Sequence, residues 1–298
     1  MATTNAPTKP SPFSLEVRRL RAVRRMSQLE LATLAGTTQR HLSFMESGRS
    51  TPGRAMVVRL AESLGLTLRE RNSLLTSAGY APAYAESPPN ASTVEPAMTA
   101  LRHILTGHLP YPAVVAGPRG ELVLANEAFS LLTEGAAAHL LDPPVNVLRL
   151  ALHPEGLGPR VVNLAAWGRH ITQSLRAQAS AHPDPALDDL AEELTRYLPE
   201  AAPAGPDHLG FAVPLRLRSP DGELRLLTTL TSFATAVDVT LAELHLEAFL
   251  PADAATGELL RRREDARTAA GPVGVIGPSG RPCPEAPAPP EPGAGSAA

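Results

Sequence analysis

Cysteine is all but missing from this chain of 298 residues: the one copy, Cys283, sits in a proline-rich tail. A single thiol excludes a disulfide framework and a cysteine-built metal cluster within one chain. Aromatic residues are scarce at 4%, with Trp167 the one tryptophan. No run of about 18 apolar residues occurs, the length a membrane-crossing helix needs. The N-terminus carries no apolar stretch of the signal-peptide kind. A cytoplasmic protein with no membrane partner is therefore expected. Also missing are the G-x-S-x-G elbow, the phosphate-binding loop, the H-E-x-x-H pair and the dinucleotide glycine pattern. An enzyme is not expected, and no cofactor.

Charge of one sign is scarce in each half. Residues 1–80 hold 12 Lys or Arg against 5 Asp or Glu, a net of +7, whereas residues 81–298 come to −10; the overall −3 hides a basic head on an acidic body. A basic head is the electrostatic footprint of phosphate binding. With 43% hydrophobic residues both halves have the material for a core.

The richest local signal lies at residues 27–52. Ser27-Gln28-Leu29-Glu30 is a capping box that starts a helix at Gln28, with Leu31, Leu34 and Ala35 as its apolar stripe. Gly36 follows, where a helix end favours a left-handed residue. Thr37 and Thr38 are placed to cap a second helix, about Gln39 to Glu46, whose Leu42 and Met45 point inward. Gln39, Arg40 and Ser43 stay on other faces, and Gln and Arg are the side chains that pair with adenine and guanine edges. Ser47-Gly48-Arg49 and then Pro52 close the unit. Two short helices about a tight turn form a helix-turn-helix. A basic amphipathic helix, Leu15 to Arg25, precedes it; Ala55 to Leu64 and a second capping box at Thr67-Leu68-Arg69-Glu70 follow.

Gln28, Leu31-Ala32, Gly36 and the run Leu42 to Arg49 followed by Pro52 resemble the Xre/Cro repressor domains over residues 12–80. The resemblance implies an all-α domain of five helices. Candidate DNA contacts are Gln28, Thr38, Gln39, Arg40, Ser43 and Arg49, with Gln28 and Arg49 at helix ends suited to phosphate. Arginines 18, 19, 21, 24 and 25 are further phosphate candidates or a solvated face. The partner is a double-stranded DNA operator, read by a homodimer because one reading helix spans only a few base pairs.

Residues 1–11 read as disordered and 81–93, with their prolines and small polar residues, as a linker. From 94 to 250 the pattern is α+β. A helix from Val94 to His108 leads to two short strands around Gly117-Pro118-Arg119-Gly120; Asn126 is placed to cap the next helix. Asn163 caps a helix with the stripe Leu164, Trp167, Ile171 and Leu175, and Leu187, Leu190, Leu194 and Leu198 form another. Phe211, Val213, Leu215 and Leu217 then alternate with Ala212, Pro214, Arg216 and Arg218, which implies one buried face, Pro214 on the outer face marking an edge strand or bulge. A return strand follows Ser219-Pro220-Asp221-Gly222, and Val237 to Phe249 adds a third strand, although Leu241 to Phe249 reads equally as helix.

That order fits a PAS-type antiparallel sheet with helices on one face. The segments Leu109–Val115, Ala125–Ala128, Pro143–Leu157 and Val161–Trp167 resemble the MmyB-type ligand-binding domain that follows Xre-type helix-turn-helix domains in bacterial regulators. The resemblance implies an apolar cavity, and a small hydrophobic, fatty-acyl-like molecule as the ligand. Inward-placed candidates for its wall are Leu148, Leu150, Trp167, Ile171, Phe211 and Phe233, each equally a packed core residue. His153 and Glu155 invite a metal, but no third ligand is visible, and a backbone latch at His153 is the better reading. Residues 251–298 read as a short charged helix and then a disordered Pro/Gly/Ala tail.

The expected function is a DNA-binding transcription regulator that senses a small ligand. The alternatives are a C-terminal domain that only dimerises or docks a protein, and an enzyme tethered to DNA, for which no catalytic constellation is visible.

Overall fold

The computed structural model describes residues 10–200, 212–233, 236–270 and 277. Phe211 and the predicted disordered segments at 1–9 and beyond 277 lie outside them. The described chain divides into two units: residues 1–88 with 233–242, and 89–232 with 243–298.

The first unit contains five successive helices: α1 Pro12–Val23, α2 Gln28–Leu34, α3 Gln39–Glu46, α4 Arg54–Ser63 and α5 Leu68–Ser77. Both predicted capping boxes are present, at Ser27 with Glu30 and at Thr67 with Glu70. Such caps stabilise short helices by about 1 kcal/mol each. Gly36 takes φ 62° at the end of α2, where a side chain would be strained. The core gathers Phe13, Val17, Leu20, Leu31, Leu42, Met45, Leu60 and Leu74. In α1 Phe13, Val17 and Leu20 are buried, whereas Leu15 and Val23 are exposed. The predicted α2 stripe needs correction. In α2 Leu34 is 61% exposed and Ala32 is buried instead.

The stretch after α5 is held to it. Asn72 donates from Nδ2 to the Tyr84 carbonyl at 2.8 Å and accepts from the Ala83 and Tyr84 N–H groups at 2.9 and 3.1 Å. Residues 83–87 in turn meet 233–242: Ala85 bridges Asp238 in parallel, and the Val239 N–H donates to the Ala85 carbonyl at 2.8 Å.

The second unit begins with α6 Glu95–Gly107, β1 Ala113–Ala116 and β2 Leu122–Ala125. Next come α7 Ser130–Thr133, α8 Val147–Leu152, α9 Leu164–Ala181 and α10 Pro185–Arg196. Strands β3 Leu215–Ser219 and β4 Gly222–Ser232 follow; α11 Val239–Glu243 precedes β5 His245–Pro251, and α12 Ala254–Ala270 ends the described fold. The strands make one antiparallel sheet in the order β2-β1-β5-β4-β3. This is the PAS-like layout expected. Val114, Ala116, Leu122, Leu215, Leu217, Leu224, Leu226 and Phe249 line the sheet face that packs with Trp167, Leu175, Leu190 and Leu194 of the helices. At Gly168 of α9 an added Cβ would lie 2.2 Å from Leu198 Cδ2, so a side chain there requires Leu198 to move aside.

The ambiguous 237–249 segment resolves into both readings, a short helix and then a strand. β3 is an edge strand, but Pro214 precedes it and is buried, not on an outer face. The two predicted asparagine caps are corrected. Neither Asn126 nor Asn163 caps the helix after it. Asn126, 1% exposed, accepts from the Ala113 N–H at 3.0 Å and donates to the Leu105 and Tyr111 carbonyls at 3.1 and 2.8 Å. Asn163 donates to the Pro214 carbonyl at 2.8 Å and accepts from the Arg216 N–H at 3.1 Å. Each amide satisfies backbone groups buried beside it, a stronger demand than a solvent-exposed helix end makes.

Asn126→Ala removes the side-chain acceptor of the buried Ala113 N–H and the donor to the Tyr111 and Leu105 carbonyls, of which Leu105 keeps the His108 N–H, so the second unit should lose about 1–3 kcal/mol. Urea unfolding followed at Trp167 reads the shift; an unchanged midpoint would remove Asn126 from the account of the core.

Candidate nucleic-acid interface and ligand domain

The reading helix is positioned by a buried acid. Glu46, at the last turn of α3, is 7% exposed. It accepts a bidentate pair from Arg21 of α1, Nε at 2.6 Å and Nη2 at 3.0 Å, and a third hydrogen bond from Gln28 Nε2 of α2 at 2.7 Å. Arg21 Nη1 also donates to the Met26 carbonyl at 2.8 Å. One carboxylate thus joins three helices. Burial pushes the Glu46 carboxyl up, but the hydrogen bonds from Arg21 and Gln28 and the nearby guanidinium charges of Arg21 and Arg18 outweigh it and hold it below the ordinary value.

With its inner side fixed by Leu42 and Met45, α3 turns Gln39 and Arg40 to solvent and leaves Ser43 half-buried. Thr38 accepts from the His41 N–H at 3.1 Å and caps the helix. The guanidinium groups of Arg40 and Arg49 lie 5.4 and 6.0 Å from the centre of the Phe44 ring. Cation–π contact of this kind restrains two otherwise floppy side chains beside the helix. Gln28 is half-buried on Glu46. Of the α1 arginines, Arg19 pairs with Glu16 at 2.7 Å, Arg21 with Glu46 and Arg24 with Glu70 at 3.3 Å, while Arg18 and Arg25 are exposed. The structure therefore brings Arg40, Ser43 and Arg49 together around α3, with Gln28 one helix away.

Of the predicted ligand-wall residues, Leu150 and Trp167 are buried in the core of the second unit, and Leu148 and Ile171 pack against the same cluster. Phe233 is not among them: it is half-buried and groups with the first unit. Phe211 lies outside the described residues.

His153 makes the expected backbone latch, its Nδ1 accepting from the Glu155 N–H at 3.1 Å. The fold adds the third group that the sequence did not reveal, His139, with Nε2 3.9 Å from Glu155 Oε2. His139 and Glu155 are more than half exposed, and the latch occupies a lone pair that a metal would use.

Two residues of β5 escaped the sequence reading. His245 and Glu247 lie two apart on the central strand, with Nε2 and Oε1 3.9 Å from each other. Burial pushes the Glu247 carboxyl up; it pushes the His245 imidazole down, against a backbone hydrogen bond at Glu243 and the charge of Glu121.

No described helix is long and apolar enough to cross a membrane. Residues 97–262 match the model of the MmyB-like transcription regulator ligand binding domain, and residues 17–71 match the helix-turn-helix model. No curated protein matches the chain. Among solved structures, the restriction-modification controller protein C.AhdI from Aeromonas hydrophila is 28% identical over 20% of this chain and 91% of its own, with a TM-score of 0.20. An RNA-binding light-oxygen-voltage receptor is 15% identical over 87% of this chain, with a TM-score of 0.27; this chain spans 63% of that receptor's length.

Because Glu46 is held ionised, its contribution to stability is complete above the unfolded value near 4.5 and is lost as pH falls through the lower folded value. Glu46→Gln should cost about 3–5 kcal/mol at neutral pH, since it strands a half-buried Arg21. The deficit should shrink on acidification. Thermal unfolding of both proteins between neutral and acidic pH tests this, and a deficit that stays constant with pH would refute it.

Proposed function

The chain belongs to the MmyB-like transcription regulators, and from that premise we propose that it is a cytoplasmic, ligand-responsive DNA-binding regulator acting as a homodimer. The observation that carries the DNA side is the outward face of α3, where Gln39 and Arg40 are free of the core while Glu46 fixes the helix that bears them. Gln39, Arg40 and Ser43 are assigned to base edges. Thr38, Gln28 and Arg49 are assigned to the sugar-phosphate backbone, where contacts position the protein and carry no sequence information. Residues 12–80 form the reading domain, 81–93 connect it, and 94–250 form the sensing domain; the segment from 251 contributes α12. The PAS-like sheet and the match of residues 97–262 to a ligand-binding domain support a small apolar or amphipathic ligand, a fatty-acyl-like molecule among them. To switch the dimer, such a ligand must bind the DNA-competent and incompetent arrangements with different affinity.

Replacing Gln39 or Arg40 by alanine should cost about 1–3 kcal/mol of discrimination per lost bidentate contact. Competition binding against scrambled operator measures it; unchanged selectivity would overturn the assignment. The sensing side is tested by native mass spectrometry of the full chain from its own host. A dimer with added mass that disappears on denaturation is the expected spectrum. A clean dimer without added mass would favour a C-terminal domain that only dimerises or docks a protein.

A further inference from the structure

Leu42, Met45 and Glu46 are the buried residues of α3 and define its inner side. Residues three, four and seven apart share one face of a helix. The line opposite the inner side is therefore Arg40, Phe44 and Ser47, with Ser43 beside it. Phe44 is out of character on that line. It is half-buried, yet it belongs neither to the buried apolar cluster of the first unit nor to the apolar side chains packed against that cluster. Its ring stands instead between two cations, the Arg40 guanidinium 5.4 Å from its centre and the Arg49 guanidinium 6.0 Å. The Phe44 carbonyl accepts from the Arg49 and Ser50 N–H groups at 2.8 and 3.2 Å and from the Ser47 hydroxyl at 3.2 Å. Those bonds fix the turn that carries Arg49 to the residue whose ring it flanks.

We propose that Phe44 is a specificity-determining residue that packs on the C5-methyl group of a thymine, close to the base that Arg40 contacts. That role rests on α3 being the helix that reads DNA, and adds one base to what it reads. In the major groove the thymine methyl is the one apolar group among the base edges, and phenylalanine is one of the side chains that meet it. Contact between ring and methyl removes water from both. Four residues of helix rise about 6 Å, and successive bases of one strand lie about 3.4 Å apart. Phe44 therefore falls one or two base pairs from the site of Arg40. The flanking arginines favour DNA over a protein as the cover for this ring. A protein partner would have to bury two cations along with it, which is costly, whereas DNA brings phosphate oxygens to receive them. The ring also restrains Arg40 through cation–π contact, so that less side-chain freedom is lost when its fork engages a guanine.

Selection of a random duplex library on the full-length protein yields the sequence it prefers. Each thymine of that duplex is then replaced in turn by deoxyuridine, which removes the methyl group and keeps the hydrogen-bonding edge. At one thymine near a guanine the replacement should weaken binding about fourfold, as expected for losing one buried methyl-sized group, about 0.8 kcal/mol. Phe44→Ala should bind the two duplexes equally, and Phe44→Leu, which keeps an apolar side chain, should retain most of the difference. Because the ring lies outside the core, thermal unfolding of Phe44→Ala should follow the wild type. A marked loss of stability in that variant would make the ring a core residue and overturn the proposal. So would a selected sequence in which no thymine methyl matters, or a methyl effect that Phe44→Ala leaves intact; in both cases the selected sequence still supports α3 as the reading helix. A selection that enriches no sequence overturns both.

Discussion

The Glu46 carboxylate is the constraint on which the reading domain depends. A helix of eight residues has no stability of its own in water. It keeps a defined pose only through what it touches, and on one side α3 touches an apolar core that tolerates some rotation. The three charge-assisted hydrogen bonds that Glu46 accepts from α1 and α2 remove that freedom. A buried ion pair is weak evidence for stability, because desolvation consumes much of its attraction. Its directional bonds are better read as setting orientation, which is what a helix that must meet base edges requires. The same network ties up Gln28, so a backbone contact by that residue has to coexist with, or be traded against, its bond to Glu46.

The second unit solves a related problem with neutral groups. Asn126 and Asn163 each join segments far apart in sequence, one linking α6 to β1 and the other linking α9 to the start of β3. An amide has both a donor and an acceptor end and carries no charge to desolvate. It can stand in for backbone where the chain leaves regular structure, at a smaller cost than an ion pair.

Those asparagines also mark the limit of what was legible in the sequence. The helix-turn-helix was readable because its signals are local: capping boxes at Ser27 and Thr67, Gly36 with positive φ, and Leu42 and Met45 at helical spacing. Asn before a helix is also a local signal, but a misleading one, since burial reassigns the side chain to partners that no sequence window contains. Leu34 failed for the complementary reason: periodicity says which residues share a face, not how wide a neighbour covers it. His139 joined His153 and Glu155 only through the loop fold. Glu247 was out of reach because 241–249 read equally as helix and strand, and without the strand its face is undefined. The register with Val114 and Leu230 supplies that face.

Strands β4 and β5 are joined by a segment that does not belong to their own unit. Residues 233–242 leave β4 and return to β5, yet they group with the reading domain. There Asp238 accepts from the Ser87 N–H at 3.2 Å and caps α11 through the Thr240 N–H at 2.9 Å, and Asn72 of α5 grips residues 83 and 84. Asp238 is 7% exposed and Val239 fully buried, so residues 238 and 239 are packed structure. Coupling between two sites requires an element with different energies in two arrangements, and both sites must bias it. Within its own unit the segment has one defined arrangement, set by the hydrogen bonds at Ala85, Ser87 and Asn72.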